Sequence, residues 1–155
     1  MEQLSMNSTP SQTFRKKRCV GYARVSTQEQ AEEGYSIDAQ IQTIQEYCQR
    51  ENMECVGVYV DRGKSGKNIK GRPEMQQLLQ DAESGQFDAV VVWKISRVAR
   101  NLMNLLEIVN VLQKQDIAFY SISEKFQVDT TTGRFMLQIM ASVNELERNQ
   151  IAENV

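Results

Sequence analysis

Ala89-Val90-Val91-Val92-Trp93 is an unbroken apolar run, led in by Phe87-Asp88 and followed by the polar stretch Lys94 to Asn101. A strand with one wet face would alternate apolar and polar residues; this one is apolar on both faces, as in the centre of a parallel sheet covered from both sides. Its neighbours in the chain fit that frame. Cys19 to Val25 and Cys55 to Val60 are further strand-like runs, and Ile117 to Ile122 is a fourth. Between them lie segments with helical spacing. Ile37, Ile41, Ile44 and Cys48 form one stripe, with Ser36 as N-cap, Asp38 in the first turn and an end near Glu51. Met75, Leu78, Leu79 and Ala82 form a second, opened by Pro73 and closed by Ser84-Gly85. Leu102, Leu105, Leu106, Val109 and Leu112 form a third. Strands alternating with helices predict an α/β fold with a mostly parallel central sheet and helices on both faces.

Outside this frame, residues 1–17 are polar and lack the apolar core of a signal peptide, so they are expected to be a flexible tail. From about Thr132 to the end, Phe135, Ile139, Val143 and Leu146 recur at threes and fours, with Met136 and Met140 on a flank and Ile151 continuing the stripe. This predicts a long helix over 132–155, truncated by the end of the chain, after a core of 18–131. The stripe is wider than one core contact needs. It is expected to pair with a second copy; packing on the parent sheet is the alternative.

The 155 residues suit one domain, and the 41% apolar and 25% charged fractions are those of a globular protein. No apolar run approaches the roughly 20 residues of a membrane span. Cys19, Cys48 and Cys55 show no close-pair spacing and are expected to be reduced thiols of a cytoplasmic protein. With no histidine in the chain, they also make a zinc site unexpected. The net charge of −2 lacks the basic balance of a stand-alone DNA binder, so contact with nucleic acid would need arginines gathered locally.

Ligands of such sheets collect at the carboxyl ends of the strands, and several polar residues fall there. Arg24 and Ser26 close the first strand two residues apart, so they share a face. A guanidinium beside a hydroxyl suits a serine that attacks a phosphate. Ser26-Thr27-Gln28-Glu29 also has the pattern of a capping box, and both accounts of Ser26 stand on spacing alone. Arg97 and Arg100 are three apart and are expected on one side of a turn, as a grip for phosphate oxygens. Arg72 and Arg148 complete a set of arginines near strand ends or on the last helix; singly, each could be an ordinary solvated side chain. Gly63-Lys64-Ser65-Gly66 lacks the spacing of a Walker A loop. Asp61, Asp88, Asp116 and Asp129 are dispersed, which argues against a two-metal nuclease.

Together these segments resemble the catalytic domain of the serine recombinases. The resemblance runs through Tyr22-Ala23-Arg24-Val25-Ser26-Thr27 with Gln30, Ser36-Ile37-Asp38-Ala39-Gln40, Tyr59-Val60-Asp61, Ser65-Gly66 and Gly71-Arg72-Pro73. It continues through Trp93 to Asn101 and Glu145-Leu146-Glu147-Arg148. Residues 31–37 and the long loop before Arg72 look most like the large recombinases of phages and transposons. The resemblance implies that Ser26 attacks a DNA phosphodiester to leave a 5′-phosphoserine, with no metal, ATP or other cofactor. It implies that Arg24, Arg72, Arg97 and Arg100 hold the phosphate, and that Gln30, Gln40, Asp61, Ser65 and Arg148 support them. It further implies duplex DNA recombination sites, a homodimer and homotetramer, an accessory directionality factor, and C-terminal DNA-binding domains beyond this chain.

Two residues depart from the family's pattern. Ser96 stands where many relatives carry an aspartate, and a serine can still orient an arginine or hydrogen-bond a leaving oxygen. Asn154 stands where small resolvases usually have an arginine. Two other functions compete on the same elements: a flavodoxin-like regulatory or oligomerisation module, for which Ser26 and the arginines would be dispensable, and a metal-dependent nuclease or nucleotide binder.

Overall fold

The computed structural model describes residues 16–26, 36–63 and 71–129, together with helical residues 135, 138–139, 142–143 and 145–150. Five strands form one sheet in the order β2-β1-β3-β4-β5. They are β1 (Lys17–Val25), β2 (Met53–Arg62), β3 (Ala89–Val92), β4 (Ala118–Ser121) and β5 (Phe126–Val128). The first four run parallel, and β5 returns antiparallel to β4. The helices are α1 (Ile37–Arg50), α2 (Pro73–Ala82) and α3 (Leu102–Lys114), with a short 3-10 turn at Ile95–Arg97.

The predicted order of elements holds, and the helix starts follow the local chemistry. The Ser36 side chain accepts from the Ala39 N–H at 3.1 Å, and Asn101 caps α3 by accepting from Asn104 at 2.9 Å. Gly85 takes φ +70° after α2, a backbone state that a side chain disfavours. β1 and β2 are longer than their apolar runs: β1 starts two polar residues earlier, at Lys17, and β2 extends at both ends, so Asp61 lies within β2 rather than beyond it. β5 was not expected. It is three residues long and follows a tight turn in which Lys125 holds φ 55°, so neither periodicity nor a glycine announces it.

Both sheet faces are covered. On one, Ile44 and Cys48 of α1 pack with Cys19, Ala89, Val91 and Tyr120. On the other, Met75 and Leu78 of α2 and Leu105, Ile108 and Leu112 of α3 pack on Val20, Tyr22, Val90, Val92 and Phe119. Among the described residues no helix is long and apolar enough to cross a membrane. In the C-terminal segment Phe135, Ile139, Val143 and Leu146 are helical and 47–65% exposed.

α1 approaches β1 closely at Gly21, where a Cβ would lie 2.8 Å from Ile44 Cγ2 and 3.3 Å from Val58 Cγ2. Ile44 is fully buried and branched at Cβ, so its Cγ2 methyl cannot swing aside without cost. Gly21→Ala is therefore expected to lower stability by about 1–3 kcal/mol through overpacking. Urea denaturation checks this: the midpoint should fall with an unchanged slope, and an unchanged midpoint would refute the close packing.

Candidate active site

β1 and β3 are neighbours whose chain connections leave in opposite directions, one to β2 and the other to β4, so their carboxyl ends form the switch point where this topology opens a crevice. β3's last partner on β1 is Tyr22, opposite Val92, yet β1 continues to Val25. The peptide groups of Arg24 are taken instead by a side chain. Gln40 of α1, 1% exposed, accepts from the Arg24 N–H at 3.2 Å and donates to the Arg24 carbonyl at 3.0 Å. Its amide thus replaces one residue of a missing strand and fixes the end of β1.

Three arginines are buried at this rim: Arg24 (7% exposed), Arg72 (1%) and Arg97 (5%). Arg24 donates through Nε to the Arg97 carbonyl and through Nη2 to the Ser96 carbonyl, each at 3.1 Å. Arg97 Nη1 donates to the Arg24 carbonyl at 3.3 Å, and Arg72 Nη1 donates to the Val98 carbonyl. Consecutive carbonyls of residues 96–98 therefore collect two guanidiniums, while the third reaches back to β1. These bonds fix three guanidiniums close together at the rim, and guanidinium donors match the geometry of phosphate oxygens.

Asp61 anchors the base of the group. Its Oδ2 accepts from Tyr22 Oη at 2.8 Å and from the Met75 N–H at 3.0 Å, and Oδ1 accepts from the Glu74 N–H at 3.0 Å. These are the first-turn donors of α2, so a carboxylate from β2 caps a helix whose own N-cap residue, Arg72, makes no side-chain cap. The cap sets where α2 begins and hence where Arg72 enters the rim. Burial, and then the charge and hydrogen bond of Asp61, push the Tyr22 phenol up from its ordinary value, against a smaller opposing pull from Arg72.

Not every expected residue joins this group. Arg100 is exposed whereas Arg97 is buried, so the two do not share one side of a turn. The helical turn ends at Arg97, so a three-residue spacing does not stack the side chains as it would on a continuing helix. Ser96 is exposed and contributes its carbonyl, and Arg148 is exposed on the C-terminal helical segment. Ser26 is half-buried, the first residue past β1. Gln30, Ser65 and Asn154 lie outside the described residues, as does Glu29, on which the capping-box account of Ser26 depends.

Two participants escaped the sequence reading. Tyr22 looked like an apolar strand residue. Glu124 accepts from the Ile95 N–H at 3.3 Å through both carboxylate oxygens, capping the turn that presents the three carbonyls. Its only signal was a carboxylate just past a strand end. Among the described residues no three carboxylates gather, and Asp88 pairs with Arg18 at 3.4 Å. The cysteines contradict their sequence spacing. The sulfurs of Cys19, Cys48 and Cys55 lie within 4.8 Å of one another, brought together by β1, α1 and β2, so distance along the chain was no argument against a metal site.

Comparison with known proteins places this geometry in context. The model of the family described as "Resolvase, N terminal domain" matches residues 19–155. The chain is 32% identical over 137 residues to a probable DNA-invertase of Sinorhizobium fredii, covering 88% of this chain and 40% of that protein. It is 31% identical over 134 residues to the DNA-invertase hin of Salmonella typhimurium, covering 86% of this chain and 63% of that one. The chain thus spans less than two thirds of the length of either relative. The crystal structure of the N-terminal catalytic domain of TP901-1 integrase superposes with a TM-score of 0.79 at 38% identity, over 86% of this chain and 98% of that one.

Two measurements test the Asp61 anchor. Asp61→Ala removes charge-assisted bonds and leaves the Tyr22 hydroxyl and two helix donors to find new partners, so a stability loss of at least about 2 kcal/mol is expected in denaturant. Because the folded chain holds the Tyr22 phenol above its ordinary 10.0, its contribution is complete below that pH. It is lost as pH rises further, when the unfolded chain ionises first. Stability should therefore fall in alkali, and Tyr22→Phe should flatten that fall; an unchanged alkaline slope would refute the burial of this pair.

Proposed function

The chain belongs to the resolvase N-terminal domain family, and we propose that it is the DNA-cleaving and rejoining domain of a serine site-specific recombinase. The observation that carries this reading is the set of three buried guanidiniums at the carboxyl ends of β1 and β3, where Ser26 is the first residue past β1. Ser26 Oγ attacks the scissile phosphorus; a P–Oγ bond forms, the P–O3′ bond breaks, and the leaving 3′ oxygen takes up a proton. The product is a 5′-phosphoserine and a free 3′-hydroxyl. Attack by a 3′-hydroxyl on that phosphoserine reverses the step and releases Ser26, so the bond energy is conserved.

Arg24, Arg72 and Arg97 stabilise the charge that develops on the equatorial oxygens and favour the serine alkoxide. The chain has no histidine, so no imidazole takes the serine proton. Arg100, Gln30, Ser65 and Arg148 belong to this reading as residues that close on the DNA, while Gln40 and Asp61 hold the rim. Residues 18–131 form the catalytic core, acting on DNA in the cytoplasm. The C-terminal helical residues Phe135, Ile139, Val143 and Leu146 are exposed, and this face pairs with a second copy in a homodimer and in a homotetramer during strand exchange. Of the expected helix over 132–155, all but residues 135, 138–139, 142–143 and 145–150 lies outside the described residues. The accessory directionality factor belongs to the same reading.

Incubating the protein with duplex DNA that bears its recombination site, followed by a denaturing quench, is expected to give a covalent adduct linked through Ser26. Chelator should leave it unchanged, Ser26→Ala should abolish it, and Arg24→Ala or Arg97→Ala should slow its formation by about 10²–10³-fold, as for loss of an electrostatic donor. An adduct that persists in Ser26→Ala, or that requires magnesium, refutes the mechanism. For the assembly, sedimentation should show self-association that Val143→Glu abolishes; a monomer at high concentration would refute it.

A further inference from the structure

At the opposite end of β1, Cys19 and Cys48 are buried and Cys55 is half-buried, with the three sulfurs within 4.8 Å of one another. Cys19 stands directly opposite Cys55 on the neighbouring parallel strand, so both project from the same sheet face. That face is the one α1 covers, and Cys48 meets Cys19 there with sulfurs 2.8 Å apart. The β1–β2 register shifts immediately afterwards: Val20 pairs with Gly57, leaving Val56 as the extra residue of a bulge, and bulges re-aim nearby side chains.

We propose that Cys19, Cys48 and Cys55 form a three-thiolate site for a soft, thiophilic metal ion. Three thiolates around one ion at about 2.3 Å lie about 4 Å from each other, and the observed grouping needs only small side-chain adjustments to reach that spacing. The donor set selects the ion. Among the described residues no carboxylate joins the sulfurs, and the chain has no histidine, so the closed four-coordinate shell of structural zinc is not supplied. Sulfur-only donors in the apolar surroundings of Ile44, Met53, Ala89 and Val91 favour soft ions such as Cu(I) or Cd(II) over hard oxygen-seeking ones.

Access is through the sheet edge. Cys55 is on the edge strand β2 and is only partly buried, unlike Cys19 and Cys48, so it is the sulfur nearest solvent. Binding displaces the thiol protons to solvent as the three M–S bonds form. Cys19 and Arg24 are five residues apart on β1, about 16 Å at strand rise, so the ion does not compete with DNA at the rim. It would instead tie α1 to β1 and β2 at the end remote from Gln40.

Anaerobic titration of the reduced chain with Cd(II) tests the site. Expected are a thiolate-to-metal charge-transfer band saturating at one ion per chain, loss of all three thiols to Ellman's reagent, and a raised thermal midpoint. Cys55→Ser, at the accessible position and therefore least harmful to folding, should weaken binding by more than the roughly 10–100-fold cost of losing an outer-shell partner. Cd(II) should displace Zn(II) at equal concentration. No band, an unaltered band in Cys55→Ser, equal binding by the urea-unfolded chain, or preference for Zn(II) each overturns the assignment. A chain that, under mild oxidation, loses two thiols to a Cys19–Cys48 disulfide but gives no band when reduced also overturns it.

Discussion

Burying a guanidinium is costly unless its donors are met, and this molecule buries three of them at one rim. Much else in the structure answers that constraint. The 3-10 turn after β3 points successive carbonyls of residues 96–98 inward, where Arg24 and Arg72 can use them. The turn itself is held by Glu124, whose carboxylate meets the Ile95 N–H from the far side of β4. The carbonyls take Arg24 Nε and Nη2, Arg97 Nη1 and Arg72 Nη1, and guanidiniums gathered in this way are suited to a ligand with phosphate oxygens. The same economy that keeps the arginines in place thereby defines what they can bind.

The sheet order explains why these groups converge. β1 outruns β3 at their carboxyl ends, and the peptide groups of Arg24 would be left in the crevice without a strand partner. Gln40 fills that place with both halves of its amide, joining α1 to the strand end. On the other side Asp61 joins β1, β2 and α2 through one carboxylate. Two buried side chains, neither of them reactive, thus fix the main chain on which the reactive ones stand. That is the kind of preorganisation that lets electrostatic stabilisation act without reorganisation at the moment of reaction.

α1 connects the two ends of the sheet. Near its start Gln40 holds the rim, and near its finish Cys48 joins the thiol cluster. Gly21, between them on β1, lets the helix lie close enough for both contacts. The helix is therefore the element through which a ligand at the thiols would bear on the stability of the arginine rim.

The order of strands and helices was legible in the chain because burial on both sheet faces demands continuous apolar runs, as at Ala89 to Val92, and one-sided helices demand stripes, as at Ile37 to Cys48. Arg24, Arg72 and Arg97 were legible as candidates through their positions near strand ends, and so was Gln40 through the resemblance. Local sequence could not reveal what depends on groups far apart in the chain. Arg97 and Arg100 look equivalent in spacing, yet the end of one helical turn buries the first and exposes the second. The carbonyls of residues 96–98 carry no side-chain signal at all, and Tyr22 reads as core until Asp61, 39 residues away, meets its hydroxyl. Three cysteines with no close spacing become neighbours because parallel pairing sets Cys19 opposite Cys55 and α1 lays Cys48 over both. Periodicity and composition determined which segments fold and which faces turn inward; strand register and helix placement alone decided which polar groups meet, because contacts across a sheet depend on alignment rather than on distance along the chain.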